Sequence, residues 1–185
     1  MQLERRRSTQ GARSNHKNPA AEPDDHALGR SRGGWTTKIH ALVDQRCAAV
    51  MLRLTGGQAH DNPHLAPMIA AYTAIHGRQF RLLADKGYAH DSTRIHLRAQ
   101  RIAHMIPERS DQIARRHARG SRGGRPPAFD PLIYRHRNTV ERAINRLKHW
   151  RGVATRYDKY ALTYLGGVTL AAAIIAHRLQ LADTP

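Results

Sequence analysis

Tyr134, Arg137, Glu141 and Lys148 stand at steps of three, four and seven residues in Tyr134-Arg-His-Arg-Asn-Thr-Val-Glu-Arg-Ala-Ile-Asn-Arg-Leu-Lys148. At about 100° per residue, with Arg137 as zero, they fall near 60°, 0°, 40° and 20° on a helical wheel. An acid, two bases and a phenol therefore share a strip roughly 60° wide. A carboxylate there is a hard oxygen ligand for a divalent ion, and the flanking cations suit phosphate oxygens. Ile133, Val140, Ile144 and Leu147 fall between about −80° and −20°, a stripe for burial that sets Glu141 at the rim of the core.

A second carboxylate has a placement of its own. Phe80-Arg-Leu-Leu-Ala84 is a short apolar strand that stops at Asp85-Lys86-Gly87, where the glycine lets the chain turn. In open α/β sheets, ligands bind at such strand carboxyl ends. Asp85 and Glu141 are donors of the kind that Mg²⁺ or Mn²⁺ prefers. Two such ions about 3.5–4 Å apart serve phosphodiester hydrolysis and strand transfer.

The elements that must hold these residues alternate. Thr36–Val43 and Ala48–Leu54 predict a hairpin over Asp44–Cys47, and a helix runs from Asp61-Asn62-Pro63 to Gly77. After the Phe80–Ala84 strand come a helix from Asp91 or Ser92 to about Gln100 and a strand Ala103–Ile106. This order predicts βαβ units and a partly parallel sheet. Asp130 caps one long helix carrying Glu141, and a last apolar helix spans about Leu162 to Gln180. Trp35 and Trp150 are read as core residues rather than base-stacking platforms.

The spacing of Tyr134, Arg137, Glu141 and Lys148 resembles the pattern of the DDE transposases of bacterial insertion sequences. The similarity is to their insertion-sequence-five-like branch, with a transposase domain of the insertion-sequence-four type. His26-Ala-Leu-Gly-Arg-Ser-Arg-Gly-Gly34, Thr37-Lys-Ile-His40, Leu83-Ala-Asp-Lys-Gly-Tyr88 and Trp150-Arg-Gly-Val-Ala-Thr-Arg-Tyr-Asp-Lys159 are similar as well. The resemblance thus runs from about residue 26 to about residue 178.

It implies an α/β fold of the RNase H-like kind, a mixed sheet with flanking helices, and metal-dependent cleavage and transfer of DNA strands at transposon ends. It implies Asp85 and Glu141 as catalytic, metal-ligating acids, with Mg²⁺ or Mn²⁺ as cofactor. Tyr134, Arg137 and Lys148 would contact DNA. The implied partners are double-stranded DNA of terminal inverted repeats and target, and further copies of the chain on that DNA.

The family uses three acids. The first lies on a central strand whose counterpart would fall before about residue 8, and no apolar strand is seen there. Asp24, Asp25 and Asp44 are loop and turn residues. The chain therefore reads as the carboxy-terminal part of a transposase with its first, central strand missing, working with an upstream fragment or an intact copy. The alternative is a catalytically inactive DNA-binding remnant.

Composition bounds the partners. Lys and Arg total 31 against 14 acids, a formal charge of +17 before any of 13 histidines protonates. Such an excess points to a polyanion, nucleic acid first. A membrane surface would call for a basic amphipathic helix or an apolar span. The longest uncharged run, Ala161 to Ala176, is 16 residues, short of the ~18–20 of a span, and reads as a buried helix. Cys47 is the only cysteine, so no intrachain disulfide forms. No secretory leader is evident at the start, and the expected location is the cytoplasm, at the nucleoid.

Residues 1–34 are expected to be a disordered basic arm or loop, and 35–182 the catalytic domain. A mobile basic loop, 108–128, interrupts that domain. Between Arg109 and Pro127 it holds a single acid, Asp111, and Arg115, Arg116, Arg119 and Arg122 are its candidate phosphate contacts.

Overall fold

Trp35-Thr-Thr-Lys-Ile-His-Ala-Leu-Val43 is rich in β-branched residues and makes the longest strand among the described residues, and Asp44 turns it back. The computed structural model describes residues 2–3 and 19–182. Its strands are β1 (Gln2–Leu3), β2 (Gly29–Ser31), β3 (Gly34–Val43), β4 (Ala49–Gly56), β5 (Arg81–Leu83) and β6 (Ala103–Met105). Its α-helices are α1 (Asn62–His76), α2 (Asp91–Ala99), α3 (Ser110–Ala118), α4 (Pro131–Tyr134), α5 (Asn138–Lys148), α6 (Arg151–Ala154) and α7 (Ala161–Ala182). This mixed α/β chain divides into two compact units, Met1–Ala59 with Thr139–Pro185, and His60–Asn138.

In the first unit β3 and β4 form the expected antiparallel hairpin, from Thr37↔Gly56 to Val43↔Ala49. Its turn is held by Asp44 Oδ1, which accepts from the amides of Arg46 (3.0 Å) and Ala48 (2.8 Å), while Cys47 takes a φ of 64°. β1 pairs with the same Thr37 and Lys38 that β4 pairs with, so it lies on the opposite edge of β3. β2 pairs with Gly34–Thr36.

No strand is expected before Trp35 from the sequence. These two- and three-residue strands are bonded through backbone amides, and no apolar periodicity announces them. The stretch from Pro19 to Gly34, expected as disordered or loop, holds turns and β2 and contains buried Glu22 and Ala27.

Helices α5 and α7 supply the core. Ile144, Leu147, Val153, Tyr164, Val168, Ala171, Ala172 and Ile175 cluster with Ile39 of β3. Each fully buried Ile, Leu or Val there contributes about 1.5–3 kcal/mol. α7 is 22 residues long, by length and composition enough to cross a membrane. The sequence reads as a buried helix here, but only one face, Ala161, Tyr164, Val168, Ala171, Ala172 and Ile175, is buried, while Leu170 and Leu181 are exposed.

One buried arginine ties the unit together. Arg156 donates to the carbonyls of Ala27 (3.3 Å), His26 (2.8 Å), Asp158 (3.0 Å) and Lys159 (3.1 Å), and to Thr37 Oγ1 (2.6 Å). Its guanidinium also lies 5.2 Å from the Tyr164 ring centroid. Beside it, Glu22 accepts from the first amides of α7, Ala161 (2.7 Å) and Leu162 (3.0 Å), and pairs with His26 Nδ1 at 2.6 Å. Burial pushes the Glu22 carboxyl up, but the Leu162 and Ala161 amides and His26 outweigh it and hold the group below the usual carboxylate range.

The second unit is built on a βαβ element. β5 and β6 run parallel, Arg81↔Ala103 to Leu83↔Met105, with α2 as the crossover. Pro63 opens α1, as its fixed φ favours, and Gly77 closes it at φ 73°. Thr93 Oγ1 donates to Asn62 Oδ1 at 2.7 Å, joining α2 to α1. Buried Arg94 donates to the Ile106 carbonyl at 2.9 Å, joining α2 to the end of β6.

Candidate active site and nucleic-acid interface

Asp85 follows β5 directly, with an extended backbone, and caps the 3₁₀ turn Lys86–Tyr88. Its Oδ1 accepts from the Gly87 amide at 2.9 Å, and the side chain is exposed. A Cβ on Gly87 would sit 2.9 Å from that same Oδ1, so the glycine leaves room for the carboxylate. The Tyr88 phenol is held well above its usual range, first by burial and then by the charges of Asp61 and Asp85. It therefore stays a neutral hydroxyl in this acidic neighbourhood. Asp61 was legible only as a helix-start residue.

Glu141 lies in the first turn of α5, exposed, with Ile144 and Leu147 buried and Val140 half-buried beside it. Asp85 belongs to the second unit and Glu141 to the first. The single long helix expected after Asp130 is instead α4, a 3₁₀ turn at Arg135–Arg137, and α5. Asp130 does cap α4, its carboxylate accepting from Leu132 (2.8 Å) and Ile133 (3.3 Å). A 3₁₀ residue advances about 120° rather than 100°, so the strip drawn from Tyr134 to Lys148 does not continue unbroken. Glu141 and Lys148 share the uninterrupted α5. Tyr134 packs against Phe129 with ring centroids 5.1 Å apart, and Arg137 ends the 3₁₀ turn, half-buried.

The stretch 108–128 is not a plain loop. Helix α3 and a further 3₁₀ turn, Gly120–Gly123, fill most of it. Gln112 Oε1 accepts from the Arg109 amide at 3.2 Å, a capping bond at the start of α3, and Asp111 accepts from Arg109 (3.1 Å) and Arg115 (2.9 Å). Composition showed the charge of this stretch and not its periodicity, because the helix has no buried face. Arg115, Arg116 and Arg119 line one recess together with Arg94, Arg98 and Arg125, three residues the sequence reading did not single out. Arg122, on the 3₁₀ turn, is exposed and does not line it. Trp35, expected in the core, is 52% exposed with the Arg30 guanidinium 6.0 Å from its ring, whereas Trp150 does pack on the core.

As metal ligands, the Asp85 and Glu141 carboxylates are of the right chemical type. Among the described residues, no three His, Cys, Asp or Glu side chains gather into a cluster able to hold an ion. The remaining residues add only two acids, Glu4 and Asp183.

Comparison with known proteins supplies the family. Residues 13–175 match the model of the transposase DDE domain. A Brucella ovis protein bearing the name of a transposase for insertion sequence element IS6501 is 29% identical over 140 residues, which are 76% of this chain and 97% of that protein. No solved structure matches the chain. Since the matched model takes in most of its length, the chain belongs to the DDE transposases.

Proposed function

We propose that the chain takes part in insertion-sequence transposition as an RNase H-like module, contributing Asp85 and Glu141 to metal-dependent cleavage and transfer of DNA strands at transposon ends. The observation that carries this reading is Asp85: an exposed carboxylate at the carboxyl end of a parallel strand, with one oxygen held by Gly87. Divalent ions are general to the family, and Mg²⁺ or Mn²⁺ suits two carboxylates best. When bound, such an ion supplies a more acidic attacking hydroxyl and a neutralised leaving oxygen. Arg137 and Lys148 hold backbone phosphates of a double-stranded terminal repeat, and Tyr134 positions them. A third acid is contributed by another polypeptide, either an upstream transposase fragment or an intact copy, with which the chain assembles on DNA at the bacterial nucleoid.

The lack of a three-acid cluster among the described residues favours a second reading, a DNA-binding remnant without catalysis. One experiment separates the two. The purified chain is mixed with an upstream fragment carrying an acid-terminated strand, a labelled terminal-repeat duplex and Mg²⁺ or Mn²⁺, and strand nicking is followed. Complementation should give nicking that Asp85→Asn or Glu141→Gln lowers about 10³-fold, some 4 kcal/mol of barrier. Nicking unaffected by either substitution would overturn the assignment of these acids. Duplex binding without nicking under any complementation would establish the remnant.

A further inference from the structure

The recess of the second unit has a chemistry beyond the charge count of its loop. It has a volume of about 440 Å³, and six arginines line it: Arg94, Arg98, Arg115, Arg116, Arg119 and Arg125. Only Asp91 and Glu108 oppose them on its walls, leaving an excess of four positive charges. Its arginines come from α2, from α3 and from the segment that follows α3, so a folded surface and not a loose tail gathers them. One wall is closed by Gly123, where a Cβ would fall 2.1 Å from the Arg116 carbonyl oxygen.

The arginines are not equivalent. Arg94 is buried and spent on the Ile106 carbonyl, and burial lowers its pKa while nearby Glu108 raises it. Arg115 is bonded to exposed Asp111. Arg116 makes a two-pronged pair with Glu108, 2.8 and 3.3 Å, both side chains mostly buried. Arg98, Arg119 and Arg125 have no carboxylate partner among the described residues. Free guanidinium forks facing a shared recess match the geometry of phosphate oxygens.

We propose that this recess is a phosphate-binding groove for the backbone of duplex DNA, with Arg98, Arg119 and Arg125 as its open contacts and Glu108 as an internal counter-ion that a DNA phosphate replaces on Arg116. The proposal rests on the DNA-acting reading above and adds to it a named surface and a restraint on its affinity. Clefts of about 300–1,000 Å³ also take small ligands, so the shared chemistry is the phosphate group and free nucleotide is the other source.

The test uses the full chain and a fluorescein-labelled 20-base-pair duplex, with anisotropy read across a salt series. Arg98→Ala with Arg125→Ala should weaken binding about tenfold or more at 0.1 M salt and flatten the log–log slope by roughly 1.8. Glu108→Gln should do the opposite, tightening binding several-fold and steepening the slope by roughly 0.9. That gain cannot come from misfolding, and circular dichroism checks the arginine pair. An unchanged slope in both variants would overturn the groove while leaving DNA binding, and the reading it rests on, intact. No binding by the wild-type chain would overturn both. Displacement of the duplex by micromolar ATP, lost in the arginine pair, would reassign the recess to free nucleotide and overturn the DNA contact.

Discussion

Arginine does opposite things in the two units. In the first, Arg156 is 1% exposed and meets five oxygen acceptors, four of them backbone carbonyls. In the second, six arginines crowd a recess with two carboxylates on its walls, and three of them lack an acid partner among the described residues. Acceptor supply, not residue type, separates the roles. A guanidinium whose donors are all met by the fold has nothing left to offer a ligand. One whose donors point at solvent adds little to stability and keeps its charge available for phosphate.

The comparison breaks most visibly at Arg156. Arg156→Ala withdraws its donors from the carbonyls of His26, Asp158 and Lys159, while the Ala27 carbonyl keeps the Thr37 hydroxyl at 2.7 Å, and each buried group left unsatisfied costs about 1–3 kcal/mol. The expected loss is about 3–5 kcal/mol, a large share of the stability of a domain this size. Urea unfolding followed by tryptophan fluorescence reads it, because Trp35 and Trp150 both belong to this unit. Arg156→Lys should recover only part, since one ammonium cannot span a fork of acceptors. A loss below about 1 kcal/mol would mean that these carbonyls find water, and the contrast between the two regions would fail.

Glu22 gives the next largest effect and sharpens the same unit. Glu22→Gln leaves one oxygen for two helix amides and removes a negative charge from the start of α7, a cost of about 1–2 kcal/mol at neutral pH. The folded pKa lies below the unfolded one. The stabilisation is therefore complete above the unfolded value of about 4.3 and is lost as pH falls through the lower folded value. Urea midpoints of wild type and variant should stand apart at pH 7 and converge in the acid range below the unfolded value. A gap that stays constant down to pH 3 would show that the carboxylate charge has no part in the cap.

The contrast also explains what the sequence could reveal. The β3–β4 hairpin, α1, the βαβ element and α7 were legible because apolar period and turn residues mark them locally: Asp44 in the hairpin, Pro63 and Gly77 around α1. Asp85 was legible as the end of a strand, and the structure adds the Gly87 bond that orients it. The Arg156 clamp was not legible, because it joins residues 26, 27 and 37 to a residue more than 100 positions away through backbone carbonyls that carry no side-chain signature. Its ends nevertheless lie in sequence blocks that drew the family resemblance, His26–Gly34 and Trp150–Lys159. The break at Arg135–Arg137 escaped for the opposite reason: nothing in Arg-His-Arg forbids an α-helix, and the 3₁₀ turn falls where one compact unit gives way to the other.

The smallest effect expected is the one that most sharpens the comparison. Arg98→Ala with Arg125→Ala removes two exposed guanidinium groups that are bonded to no carboxylate among the described residues. Surface substitutions of this kind stay within about 0.5 kcal/mol. The sign is expected to be slightly stabilising, because Arg98→Ala removes like-charge repulsion from Arg94, whose own pKa is lowered first by burial and then, against the pull of Glu108, by Arg98. Urea midpoints at 0.02 M and 0.5 M salt test this. The variant should equal or exceed wild type at low salt, and the two should merge at high salt as the repulsion is screened. A clear loss of stability at both salts would show that these side chains brace the recess as Arg156 braces the first unit, and would make their effect on DNA affinity a consequence of folding.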